Sequence, residues 1–270
     1  MSLHVITVAT KNDPGLEFLL YSAEQSNTNI EIKSMLNKKF QSWGHGFGVK
    51  MESLQKFLSN LPNHDVVMMI DAYDVILTAK NKQELLNTYH KFNYPIVISA
   101  ELLCNRDINC VGEGGNVTDT SSAHKYLCSG ALIGRVDALK QVLKKNPFES
   151  AKDDQMYWGE IWVKHKDLCI IDSKSEMFIS MAEVDPSEVD VQNGQMTRKQ
   201  YGTKPKVIHF NGGRKLHDRY FYELYPDAQN NKPLYQLYGK THLIINTVLF
   251  VCIIGTLVLT IILLLIFYRR

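Results

Sequence analysis

Strand-like runs alternate with helix-spaced segments through residues 1–225, which predicts an α/β domain on a mainly parallel sheet, followed by one membrane helix near the C-terminus. Three observations carry this. Residues 4–10 ("HVITVAT") and 65–70 ("DVVMMI") are nearly unbroken apolar runs, the pattern of strands covered on both faces. Helical patterns separate such runs, as parallel crossovers require. Residues 243–267 hold no charged side chain in 25 positions.

Residues 4–10 make the first strand. Pro14 opens a helix over 14–25, where Leu16, Leu19, Leu20 and Ala23 share a face. Residues 30–36 ("IEIKSML") read as the second strand, and the glycine-rich "SWGHGFG" at 42–48 as a loop. Helical spacing returns at Met51, Leu54, Phe57, Leu58 and Leu61, and Pro62 stops it. A strand over 65–70, a helix over 82–92 and a strand over 94–101 follow. Residues 103–124 are irregular, 125–134 ("KYLCSGALIG") read as strand and turn, and 136–145 and 153–165 as helices. Residues 167–173, 176–180 and 206–210 supply the last strands, with a polar region before the final one.

The domain outline is 1–225 for the α/β body, 226–242 for a polar linker, 243–267 for the membrane helix and 268–270 for a short tail. At about 1.5 Å per residue the uncharged segment exceeds a bilayer core of roughly 30 Å. Tyr268, Arg269 and Arg270 suit the interface beyond it. The N-terminal "MSLHVITVATKNDPG" has no signal-peptide pattern, so a single-pass, tail-anchored protein with its body in the cytosol is the default expectation. A formal net charge of +2 and no basic stripe give no reason to propose a nucleic-acid partner. Cys104, Cys110, Cys128 and Cys169 show no CxxC spacing, which argues against structural zinc. Cys104 and Cys110 fit a local disulfide or two thiols, and Asn116 lies in a glycosylation sequon.

The chemistry collects where strands end. Asp71 and Asp74 break the apolar run of "VVMMIDAYDVIL", and ligands in α/β sheets bind at the carboxyl ends of strands. Adjacent carboxylates resist joint ionisation unless a cation lies between them, and Mn²⁺ or Mg²⁺ with oxygen ligands resolves that conflict. An Asx turn is the plain alternative. "PKVIHFNGG" repeats the pattern, running an apolar strand into His209, Asn211, Gly212 and Gly213. Imidazole is a common third ligand, and paired glycines admit phosphate oxygens to backbone amides. A satisfied core histidine is the alternative. Asp153 and Asp154 either offset a helix dipole or orient an acceptor hydroxyl. The small residues of "YLCSGALIG" fit either a sugar lying against backbone or close strand packing.

Together and in order, "VITVATK", "MIDAYDVIL", "ISAELLC", "YLCSGALIG", "DDQMYW" and "KVIHFNG" resemble the glycosyltransferase domain of the multifunctional procollagen lysyl hydroxylases, over roughly residues 3–215. The collagen galactosyltransferases are more distant kin. The resemblance implies a GT-A type, Rossmann-like fold that binds a UDP-sugar and Mn²⁺ (or Mg²⁺). It implies Asp71, Asp74 and His209 as metal ligands. It places Tyr73 and Trp43 on the uracil, Thr10 beside the nucleoside, and Ser129, Gly130, Asn211 and Gly212 around the donor. Asp153, Asp154 and Gln155 would stand near the transferred sugar. The implied activity moves a hexose (glucose or galactose) from a UDP-sugar to an acceptor hydroxyl of a protein or glycan, with hydroxylysine or galactosyl-hydroxylysine of a collagen-like chain as the family analogy. Two departures stand out: "GHGFGVK" is no close match to the family's glycine-rich loop, and Cys128-Ser129-Gly130-Ala131 replaces the family's "NSGG". The rival readings are an inactive membrane-anchored scaffold and a metal-dependent phosphoesterase.

Overall fold

The computed structural model describes residues 1–11, 13–34, 43–103, 122, 124–148, 153–212 and 214–229. The expected membrane span, its tail, Cys104, Cys110 and Asn116 lie outside these residues. Among the described residues no helix is long and apolar enough to cross a membrane. The chain divides into a unit Met1–Pro226 and a unit Asp227–Arg270. Every strand among the described residues belongs to the first unit.

The elements of that unit are β1 (Leu3–Ala9), α1 (Pro14–Gln25), β2 (Ile30–Ser34), α2 (Trp43–Ser59), β3 (Val66–Ile70), β4 (Val75–Leu77), α3 (Lys82–Lys91) and β5 (Ile96–Glu101). They continue with β6 (Tyr126–Arg135), α4 (Val136–Lys145), α5 (Asp154–Lys164), β7 (Cys169–Asp172) and β8 (Phe178–Ser180). The last are β9 (Val189–Gln192), β10 (Gln195–Arg198), β11 (Val207–His209) and α6 (Arg214–Leu224).

The main sheet has the order β2-β1-β3-β6-β5-β7. Its strands run parallel except β6, which is antiparallel to both β3 and β5, so the sheet is mixed rather than simply parallel. The continuous apolar runs are explained by two-sided burial. Val67 and Met69 face one core with α2, α4 and α5. Val66, Met68 and Ile70 face the other with α1 and α3. Period-two alternation therefore vanishes from the sequence although it persists in space.

A second sheet, β4-β11-β8, carries the rest of the site. β4 follows β3 after only Asp71–Asp74, so this turn passes the chain from one sheet to the other. β11 is antiparallel to β4 in a register that sets His209 opposite Val75, and the Phe210 amide donates to the Asp74 carbonyl at 2.7 Å.

Two expectations are corrected. Residues 43–48 do not form a loop, because α2 begins at Trp43 and absorbs Gly44, Gly46 and Gly48. Glycine costs about 1 kcal/mol per helical position relative to alanine, a penalty that packing of Met51, Leu54 and Leu58 in the core can exceed. Residues 126–134 lie in one strand, β6, without a turn, and the pairing with β5 shifts between Ile98 and Ser99. Residues 129–131 make a bulge there, and Gly130 occupies it. The polar stretch before β11 contains a hairpin, β9-β10, turned on Asn193 (φ 51°) and Gly194 (φ 70°).

Trp158 of α5 is fully buried in the first core. Trp158→Ala is expected to cost about 3–5 kcal/mol in urea unfolding; a loss below about 1 kcal/mol contradicts this packing.

Candidate active site

Carboxyl ends of β1, β3 and β5 and the first half of antiparallel β6 share one edge of the main sheet. Asp71 leaves β3 there, its amide donating to the Gly130 carbonyl at 2.8 Å. Asp74 stands where β4 begins, and the β4-β11 register brings His209 beside it. Each of Asp71, Asp74 and His209 offers one ligand atom within 4.8 Å of the others. His209 Nε2 lies 3.3 Å from Asp74 Oδ2 and 3.6 Å from Asp71 Oδ2.

Charge supports the grouping. Asp71 keeps 34% of its side chain open, yet the protein around it raises its carboxyl above the usual range, with Lys50 acting in the opposite sense. Burial also works to raise Asp74, but the His209 imidazole outweighs it and holds Asp74 low. Burial disfavours a charged His209, and Asp74 overcomes this to lift the imidazole well above its ordinary value. Two hard carboxylates and one imidazole at an open cleft fit a divalent ion such as Mn²⁺ or Mg²⁺.

Lys50, on the buried face of α2, bridges this group to α5. Its Nζ lies 2.7 Å from Asp71 Oδ1, 2.7 Å from Asp154 Oδ2 and donates to the Ser129 carbonyl at 3.2 Å. Asp153 caps α5, accepting from the amides of Gln155 (2.8 Å) and Met156 (3.3 Å). The plain capping role thus belongs to Asp153, while Asp154 is a buried counterion of Lys50.

Glu101 ends β5 at the same edge. Its carboxylate accepts from Gln155 Nε2 and from Asn211 Nδ2, both at 2.7 Å. Gln155 Oε1 in turn accepts from the Ser129 amide at 3.4 Å, and Asn211 Oδ1 from the Ala182 amide at 3.1 Å. Burial pushes the Glu101 carboxyl up to about 7. Tyr73 is tied to the end of β1: its hydroxyl accepts from the Thr10 amide (2.5 Å) and the Lys11 amide (2.9 Å). Gly130 is required by contact, since a Cβ there would fall 2.0 Å from His209 Cε1. Gly212, at φ +92°, suits a residue without Cβ and lines a cavity of about 440 Å³ with Asn211, Phe210, Met181 and Leu216.

Of the residues singled out by sequence, Asp71, Asp74, His209 and Gly130 meet at one point, with Asp154 and Ser129 attached through Lys50. Gln155 and Asn211 join through Glu101, and Thr10 and Tyr73 pair beside β1. The side chain of Trp43 lies outside the described residues. Sequence reasoning passed over Glu101 and did not pair Lys50 with Asp71 or Asp154. Both had a signal: Glu101 puts a carboxylate at the end of an apolar strand, as Asp71 does, and Lys50 sits on an apolar helix face with Leu54 and Phe57.

The mixed α/β sheet with its second, smaller sheet has a GT-A-like glycosyltransferase fold. A solved glycosyltransferase involved in glycosylating the major capsid of PBCV-1 shares it, with TM-score 0.50, 10% identity, and coverage of 82% of this chain and 98% of that one. The chain belongs to the PLOD GT domain family, whose model matches residues 1–232. It is similar to the multifunctional procollagen lysine hydroxylase and glycosyltransferase of Caenorhabditis elegans, 29% identical over 234 residues, covering 81% of this chain and 31% of that protein. It is likewise similar to human multifunctional procollagen lysine hydroxylase and glycosyltransferase LH3, 26% identical, covering 84% of this chain and 32% of the relative. The chain spans about a third of the length of these relatives.

Lys50→Ala strands a buried Asp154 and is expected to cost about 3–5 kcal/mol, with Lys50→Ala/Asp154→Asn recovering a large part, in a double-mutant unfolding cycle. Equal losses in the single and double variants contradict this pairing. Glu101 favours its protonated form in the folded state, so its contribution is full below the ordinary 4.5 and is lost as pH rises through about 7. Relative to Glu101→Gln, the wild type is expected to lose on the order of 2–3 kcal/mol between pH 4.5 and 7.5. Parallel pH–stability curves contradict the raised value.

Proposed function

We propose that the chain is a metal-dependent glycosyltransferase that moves a hexose, glucose or galactose, from a UDP-sugar to an acceptor hydroxyl. The observation that carries this is the convergence of Asp71, Asp74 and His209 at the sheet edge where α/β domains take ligands. These three side chains would hold Mn²⁺ or Mg²⁺, which when bound supplies Lewis-acid stabilisation of a departing diphosphate.

The chain's own groups do the rest. Tyr73, pinned at the end of β1 beside Thr10, offers a fixed ring toward a nucleobase, and Trp43 is proposed to share that task. Gly212 lets a ligand approach backbone beside Asn211, while Gly130, next to Ser129, gives its space to the His209 ring. Lys50 holds Asp154 in place, and it adds positive charge to a cluster that must receive phosphates. Asp154 and Gln155 orient the transferred sugar or acceptor hydroxyl, while Asp153 fixes the start of their helix. The cavity beside Asn211 gives the acceptor room. A collagen-like chain bearing hydroxylysine or galactosyl-hydroxylysine is the proposed acceptor, supported by the similarity to the worm and human procollagen lysine hydroxylases.

Residues 243–267 are proposed as a single membrane span reached through a linker over 226–242, on hydropathy alone. Protease protection on intact membranes tests the span and the side the body faces.

The activity is tested by screening UDP-hexoses with Mn²⁺ against collagen-like peptides and free sugars. Acceptor-dependent transfer is expected, and Asp71→Ala, Asp74→Ala or His209→Ala is expected to reduce it by about 10³-fold or more. UDP-sugar binding without transfer to any acceptor favours an inactive scaffold, and phosphate release from generic esters favours a phosphoesterase.

A further inference from the structure

We propose that Cys128 is the positioning residue of the metal site, holding the His209 imidazole by its Nδ1 so that Nε2 faces Asp71 and Asp74. The inference rests on reading Asp71, Asp74 and His209 as metal ligands. Cys128 is a buried free thiol on β6, and its Sγ lies 3.4 Å from His209 Nδ1. The opposite ring nitrogen lies 3.3 Å from Asp74 and 3.6 Å from Asp71. The ring edge between them packs on Gly130, two residues along the same strand, with no space for a Cβ. β6 therefore grips the imidazole through the Cys128 sulfur and the bare Cα of Gly130.

The direction of the contact follows from chemistry. A metal on Nε2 takes that lone pair and leaves the ring's proton on Nδ1. Sγ is the atom placed to accept that proton, with Asn211 Nδ2 a further 4.0 Å contact on the same sulfur. Such outer partners fix ring orientation and tautomer, and their loss lowers metal affinity by about 10–100-fold. Cys128 is not itself a ligand in this arrangement. Among the described residues the group with ligand atoms in mutual reach is Asp71, Asp74 and His209, and the thiol meets the far side of the ring. An asparagine at position 128 would offer an amide carbonyl that accepts the same proton. Alanine does not.

Mn²⁺ titrations of the full chain, followed by electron paramagnetic resonance, test this on wild type, Cys128→Ala, Cys128→Ser and Cys128→Asn. Cys128→Ala is expected to bind about 10-fold more weakly or worse, with the serine and asparagine variants within about 3-fold of wild type. Urea midpoints measured without metal distinguish lost packing from lost orientation. Wild-type affinity in Cys128→Ala overturns the proposal, as does equal weakening in all three variants. If Cys128→Ala does not fold, ¹⁵N-histidine spectra of the wild type with Mg²⁺ decide. A slowly exchanging proton on His209 Nδ1 supports the proposal, and a proton on Nε2 overturns it. A wild type that binds no divalent ion overturns the metal-site reading itself, and this inference with it.

Discussion

The pairing of β11 with β4 is the constraint on which the site depends. It sets His209 opposite Val75, one residue past Asp74, on a strand some 130 positions away in sequence. A one-residue slip would turn the imidazole to the other face of the sheet and dissolve the cluster. The register is fixed from both sides, because β11 also pairs with β8 in parallel and the Met181 amide donates to the His209 carbonyl at 2.8 Å. The turn Asp71–Asp74 completes the geometry by being too short to leave any choice of position between the two sheets.

Around that point the protein balances buried charge rather than avoiding it. Asp71, Asp74, Asp154 and Glu101 bring four carboxyls to one edge, against Lys50 and His209. Lys50 is shared by Asp71 and Asp154, so the Asp71–Asp74–His209 group and the helix that carries Asp153–Gln155 are electrostatically tied. Glu101 ties the same helix to the loop after β11 through two amide side chains. Each bond is short and directed, and together they hold five separate chain segments in one frame before any ligand enters.

Much of this was legible in the sequence, for a physical reason. Strands buried on both faces print as apolar runs, so the polar residue that ends one is conspicuous, and Asp71, Asp74 and His209 were all found that way. Cap chemistry is local too, which is why Asp153 and the start of α5 were readable. Strand direction is not local. Nothing within residues 125–134 says that β6 runs against its neighbours, because that is decided by pairing with β3 and β5. The glycines of residues 42–48 argued for a loop, and the following apolar turns of α2 prevailed. Asn193–Gly194 was a plain hairpin signal inside a stretch read only as polar.

The convergence of two carboxylates and one imidazole on a single ion is tested most directly by pulsed hyperfine spectroscopy of Mn²⁺ bound to the full chain. One imidazole nitrogen coupled to the manganese, lost in His209→Ala and retained in His217→Ala, is the predicted result; His217 is a buried histidine of α6 outside the Asp71–Asp74–His209 group. Bound manganese with no nitrogen coupling, or a coupling that survives His209→Ala, would contradict it.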